Sequence, residues 1–144
     1  MATLAAGSPR VFTTGEYQDY PVVASDIIYE GAIVGLEAGT ANARPLQAGD
    51  TYLGVAIGTV DNSAGAAGDK KVRVSTTKPF VMAVTGASAT SNTLPVYASD
   101  DDTLTLTEGS NSLVGIVLSH VSGTECVVQP ILGSKEIYDD LSTP

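Results

Sequence analysis

The chain has 144 residues, of which 43% are apolar and 16% charged, and its net charge at pH 7 is −9. Seven basic residues against sixteen acidic ones argue against a nucleic-acid partner, because phosphate backbones are bound by clustered Lys and Arg, and also against an anionic membrane. No apolar stretch approaches the roughly 20 residues needed to span a bilayer. Residues 1–10 lack the features of a secretory signal, so we expect synthesis in a cytoplasm. Cys126 is the one cysteine, which excludes an intrachain disulfide.

Along the chain, the pattern predicts an N-terminal arm, one β domain and a tail. Residues 1–25 are interrupted by Pro9 and Pro21 and predict an extended arm. Residues 26–132 predict a β-barrel domain, and residues 133–144 a short C-terminal tail. Regularly spaced short strands, with no helix longer than two turns, are typical of an all-β barrel or sandwich. The predicted strands are 33–36, 53–57, 71–75, 80–84, 94–97, 103–107, 113–118 and 126–131.

The domain contains an internal repeat. The apolar run Leu53–Ile57 has a similar counterpart in Val114–Leu118, and at the offset that aligns the two runs Gly54 falls on Gly115. We interpret this as two pseudo-equivalent halves, although chance similarity of two Val/Ile/Gly strands stays open as the alternative. A glycine inside each apolar strand predicts a β-bulge or a close approach of two backbones, which small barrels need.

Nothing in the sequence forms a catalytic or metal-binding motif. His120 and Cys126 lie six positions apart across a predicted hairpin, but the neighbouring Glu125 does not favour an activated thiolate. One Cys and one His exclude a zinc site. The acidic run Asp100–Asp102 predicts a solvated turn, with weak calcium binding as the minor alternative. We therefore predict no enzyme activity, no cofactor and no metal.

The arm carries the candidate binding residues. Aromatic side chains on an extended segment suit docking into a neighbour's groove or adding a strand to its sheet. The alternative is that the arm folds back on its own barrel. The candidate residues are Val11, Phe12, Tyr17 and Tyr20.

Residues 31–131 resemble the capsid decoration proteins of tailed phages, which are also called head-stabilising or cement proteins. The resemblance covers most of the chain and is a resemblance in the order of strands and turns, not in reactive residues. The segments that carry it are Gly31–Leu36, Asp50–Ala56, Lys71–Val74, Leu94–Tyr97, Asp102–Thr105 and Leu113–Leu118.

This resemblance implies a β-tulip-like barrel without enzyme activity, made in the cytoplasm of a bacterial host and located on the outer surface of the virion capsid. It implies binding to the expanded shell, bridging of major capsid protein subunits, and self-association as a trimer, with a dimer as second choice. The arm would then add a strand to a capsid sheet. The alternatives are another virion β-domain, associated with a tail tube or fibre, and a carbohydrate-binding module, against which the absence of Trp counts.

Overall fold

The computed structural model describes residues 6–7 and 16–131. This part of the chain contains strands and no helix, and so no helix that could cross a membrane. The predicted all-β class with a small closed barrel is confirmed. The strands are β1 (Tyr17–Pro21), β2 (Asp26–Ile28), β3 (Ile33–Leu36), β4 (Ala43–Pro45), β5 (Thr51–Ala56), β6 (Val60–Asn62), β7 (Lys71–Ser75), β8 (Phe80–Thr85), β9 (Pro95–Ala98), β10 (Leu104–Thr105), β11 (Ser112–Ser122) and β12 (Glu125–Pro130).

The strands form two units with the same order of neighbours. The first unit is a five-stranded sheet in the order β1-β7-β5-β3-β4, and the second is a closed barrel in the order β10-β8-β12-β11-β9. Strands β1, β3, β4, β5 and β7 of the first unit take the places of β8, β9, β10, β11 and β12 in the second. A two-stranded sheet of β2 and β6 completes the described part. The offset that aligns Gly54 with Gly115 therefore relates β3, β4 and β5 to β9, β10 and β11, but not β7 to β12, because the connection before β12 is shorter.

In both units, the chain at the first strand comes next to the strand at the other end of the sheet, and the two contacts lie at equivalent positions. In the second unit β8 and β10 pair in parallel, with Val84 opposite Leu104. In the first unit an isolated parallel bridge joins Val22 to Ala43, and the Val23 N–H donates to the Ala43 carbonyl at 3.0 Å. Ala43 falls on Leu104 at the same offset that aligns the two glycines. A single bridge thus stands in the first unit where the second has a short ladder.

The first strand lies inside the segment predicted as an extended arm, residues 1–25. Tyr17–Pro21 pairs antiparallel with β7, so residues from 17 onward belong to the first unit. The reason is that β7 needs a second neighbour to satisfy its backbone groups, and the segment that precedes β2 supplies it. The rest of the predicted arm, residues 1–5 and 8–15, and the tail predicted for residues 133–144 lie outside the described residues.

Each unit contains a β-bulge next to a glycine. In β5 the pairing with β3 shifts so that Leu53 is the extra residue, and in β11 the pairing with β9 shifts at Val114. A Cβ on the following Gly54 would lie 2.5 Å from the Ser75 carbonyl oxygen. A Cβ on Gly115 would overlap the Gln129 carbonyl and lie 2.9 Å from the Pro130 Cα. Both a bulge and a close backbone approach therefore occur where the sequence predicted one or the other.

The two units share their apolar interior. One cluster of buried side chains fills the first unit and another fills the second. Ile33, Leu46 and Tyr52 belong to the first unit by sequence, yet they pack in the second cluster. Hydrogen bonds cross the same boundary, since the Gly49 N–H donates to Ser112 Oγ at 3.0 Å. The units therefore pack as one body.

An ion pair secures the turn before β5. The Arg44 guanidinium donates to both carboxylate oxygens of Asp50, at 2.9 Å from Nε and 2.7 Å from Nη2. The Gln47 N–H donates to the same carboxylate at 3.0 Å, and Asp50 is 8% exposed. A Cβ on Gly35 would lie 2.8 Å from the Asp50 side chain. Glycine at position 35 is therefore what lets this carboxylate pack against β3.

We expect Gly54→Ala and Gly115→Ala each to lower the free energy of unfolding by about 1–3 kcal/mol, because the added methyl group meets backbone atoms that cannot move independently. The matched control is Gly58→Ala. A Cβ at Gly58 has no atom within 4 Å, so this variant should keep the parent stability. Urea unfolding measures all three, and equal stability of the Gly54 and Gly58 variants would contradict the close-approach argument.

Candidate interaction surface

The described part of the chain presents an apolar groove at the start of β1. Tyr17, which is 37% exposed, lines an open depression of about 200 Å³ whose other lining residues are mainly apolar: Val55, Ile57, Pro79 and Phe80, with Ser75 and Lys78. The groove lies between the end of β5 and the beginning of β8, and thus where the two units join. Strand β1 is the end strand of its sheet, with β7 as its neighbour, and the isolated bridge to Ala43 is made by Val22, which follows β1. Tyr17 therefore sits beside a strand edge and an apolar depression.

Tyr17 and Tyr20, which were both predicted as binding residues, lie in different environments. Tyr17 and Tyr20 are three positions apart in one strand, so their side chains leave opposite faces of the sheet. Tyr20 packs half-buried against the apolar cluster of the first unit, as the alternative of an arm folded on its own barrel predicts. Tyr17 faces the groove. Val11 and Phe12 lie outside the described residues.

On the outer face of the first unit, charged residues meet across β1 and β7. Arg73 donates to both oxygens of Asp19, from Nε at 2.8 Å and from Nη2 at 3.0 Å. The hydrogen bond from Arg73 lowers the pKa of the Asp19 carboxyl, and the same bond raises the pKa of Arg73. Both side chains are well exposed, so this pair adds little stability.

In the second unit the equivalent pair is apolar, and Ser119 on β11 is the other ladder neighbour of Val127. Val81 on β8 is 60% exposed and lies directly opposite Val127 on β12. Leu94, Leu118 and Val121 are also about half exposed, at 43%, 48% and 51%. We call these five residues the outer apolar face. The sequence does not reveal these exposed residues, because an uninterrupted apolar run such as Leu113–Leu118 is typical of a strand that is buried on both faces.

Cys126 and His120, which have nucleophilic and acid–base side chains, both make hydrogen bonds within their own hairpin. Cys126 is fully buried, and burial raises the pKa of its thiol, which is the opposite of thiolate activation. His120 lies opposite Cys126 in the ladder, but its Nε2 is 2.8 Å from the Gly123 carbonyl oxygen. The thiol in turn donates to the Thr124 carbonyl at 3.6 Å. The hairpin thus uses both side chains to close its own turn.

The acidic turn is also built from its own contacts. The Asp102 N–H donates to Asp100 Oδ1 at 2.9 Å. Burial raises the pKa of the Asp101 carboxyl, and the neighbouring charges of Asp100, Asp102 and Asp26 raise it further. Within the described ranges, no three His, Cys, Asp or Glu side chains are arranged to hold a metal ion.

We expect Asp101→Asn to raise the free energy of unfolding at about pH 7 by up to about 0.5 kcal/mol. The folded-state pKa of Asp101 lies above its unfolded value, so the ionised form destabilises the fold, and this cost disappears as the pH falls and the carboxyl becomes protonated. The gain should therefore shrink towards about pH 3. Urea unfolding at both pH values tests this, with Glu125→Gln as the control that removes the same charge from an exposed strand end.

Comparison with known proteins gives no further assignment. No protein-family model matches the chain, and no curated protein or solved structure matches it either. The features from which a function is argued are therefore the chain's own, namely the two equivalent units, the groove at Tyr17 and the outer apolar face.

Proposed function

We propose that this chain is a structural protein that binds the outer surface of the expanded capsid of a tailed phage and stabilises it by bridging major capsid protein subunits. Two kinds of observation support the proposal. The first is the resemblance of residues 31–131 to the decoration proteins in the order of strands and turns. The second, on which the proposal mainly rests, is the position of Tyr17 at the groove beside the start of β1.

The proposed contact uses the strand edge and the groove together. An extended chain can add to an exposed strand edge through its backbone groups, while apolar side chains that enter a depression supply most of the affinity. Val11 and Phe12 precede Tyr17 in the sequence by six and five residues. We therefore place the capsid contact at Val11, Phe12 and Tyr17. Tyr20 is left out, because its half-buried side chain packs against the apolar cluster of the chain's own first unit.

The stabilisation follows from mass action. A protein that binds the expanded lattice and not the compact one lowers the free energy of the expanded state by an amount that grows with its concentration over the dissociation constant. Many copies on one shell add modest contacts into a large total. This mechanism needs no bond to be made or broken. It agrees with the environments of Cys126 and His120, which serve the turn of their own hairpin.

We expect the purified chain to co-sediment saturably with expanded empty shells of a phage that encodes it, and not with compact shells.

In the full-length chain, Val11→Ser with Phe12→Ser should lower the affinity for expanded shells at least about tenfold, because both apolar anchors are lost. The matched control is Thr13→Ser with Thr14→Ser in the same segment, which should bind as the parent does. Equal binding of both variants would remove the segment from the contact. No binding of the parent to either shell would instead favour the tail-component function.

Two deletions separate binding from folding. Removing residues 1–15 leaves β1 in place, so the melting temperature should stay near that of the parent while shell binding is lost. Removing residues 1–25 also deletes β1 and the Val22 bridge to Ala43, so the melting temperature should fall clearly. If both deletions melted alike, β1 would not be part of the stable first unit.

A further inference from the structure

The described part of the chain ends close to the groove at Tyr17. On β12, Val128 lies opposite Phe80 of β8, and Phe80 is one of the residues that line the groove. Ile131 is the last residue that the structure describes, and it follows Val128 by three positions, which is about 10 Å of extended chain. Residues 132–144 therefore begin beside the wall of the groove that β8 forms.

The segment beyond Ile131 has an apolar centre between acidic residues. Ile137 and Tyr138 lie between Glu136 and the pair Asp139–Asp140. Tyr138 follows Ile131 by seven positions, so it can lie up to about 23 Å from Ile131, which is enough to reach the groove. Tyrosine is one of the side chains that most often anchor a contact in an apolar depression. The segment thus offers an apolar anchor at a suitable distance.

The charge of the groove fits that segment. Among the described residues that line the groove, Lys78 is the one with a charged side chain. Its Nζ lies 4.0 Å from Glu16 Oε1 and both side chains are exposed, so Lys78 is only loosely paired. The preceding Thr77 carbonyl accepts a hydrogen bond from Gln129 Nε2 at 3.2 Å, which places this part of the groove next to the end of β12. In an extended chain, residues two apart share a face, so carboxylates would accompany Tyr138 towards Lys78.

We propose that residues 132–144 fold back onto their own chain and cover the groove at Tyr17, with the Tyr138 side chain in the groove and a neighbouring carboxylate at Lys78. The tether selects this occupant. A segment on a short linker meets its site at an effective concentration in the millimolar range, so even a weak contact is well populated. A separate partner must compete with that concentration.

For capsid binding, the consequence is autoinhibition, and this step rests on the proposed function. The contact proposed at Tyr17 is open only in the fraction of molecules whose groove is uncovered, so the covered fraction raises the apparent dissociation constant for the shell. Binding to the shell would displace residues 132–144 from the groove. The contact of this segment with the groove does not itself depend on any capsid.

Thiol labelling of the full chain tests the contact without shells. Ile57 lines the groove and is 42% exposed in the described part, and Cys126 is buried, so Ile57→Cys supplies the accessible thiol. Adding Tyr138→Ser should raise the rate of maleimide labelling at least about fivefold, because the groove is then uncovered in most molecules. Ser142→Ala in the same segment is the matched control and should leave the rate unchanged. The same should hold for Val121→Cys, at the far end of the β11–β12 hairpin, with and without Tyr138→Ser.

A disulfide trap identifies which chain supplies the segment. With diamide as the oxidant, Ile57→Cys with Tyr138→Cys should form a disulfide within one chain, whereas Val121→Cys with Tyr138→Cys should not. Unchanged labelling at position 57, equal trapping at both positions, or covalent dimers in place of closed monomers would each overturn the proposal. If Tyr138→Ser uncovers position 57 but the chain binds expanded shells no more tightly, the capsid contact at the groove is wrong and the contact of residues 132–144 stands.

Discussion

The fold depends on two places where one backbone passes another too closely for any side chain. At Gly54 the neighbour is the Ser75 carbonyl, and at Gly115 it is the backbone of Gln129 and Pro130. The bulged residue before each glycine, Leu53 or Val114, increases the local twist. Strong twist is what allows five short strands to curl round until the first and last meet. Both units therefore contain the same backbone constraint, and the rest of each unit is arranged around it.

Side-chain interactions, in contrast, differ between the units. Arg44 and Asp50 form a bidentate pair in the first unit, whereas the equivalent positions of the second unit hold Thr105 and Asn111. The same turn persists, because the Asp50 N–H bonds to Gln47 and the Asn111 N–H bonds to Glu108, both at 2.9 Å. The backbone hydrogen bond thus defines the turn, and the ion pair is an addition to it. Breaking such a pair from one side would still be costly, since it would leave a largely buried charge without its partner.

The sequence predicted the strands with apolar periodicity and the role of the two interior glycines, because both are local signals. It did not predict β2, β4 and β6, which have three residues each and hence no measurable period. Strand β1 was missed because its pairing partner lies far along the chain, at β7, and Pro21 argues against a strand. The binding residues stay a prediction. Strand register, which no local pattern reveals, places Tyr17 at the groove and packs the half-buried Tyr20 against the apolar cluster of the first unit.

A protein that bridges subunits needs at least two separate contact surfaces, and two linked units provide them at low cost. Each unit retains the backbone constraint while its outer face differs. In the first unit that face carries an exposed Asp19–Arg73 ion pair. In the second unit the equivalent pair is Val81 and Val127, so the same backbone accepts either an ion pair or an apolar pair at this place. The capsid contact that we propose lies at neither pair but at the groove beside Tyr17, so a change of either outer pair leaves that groove intact.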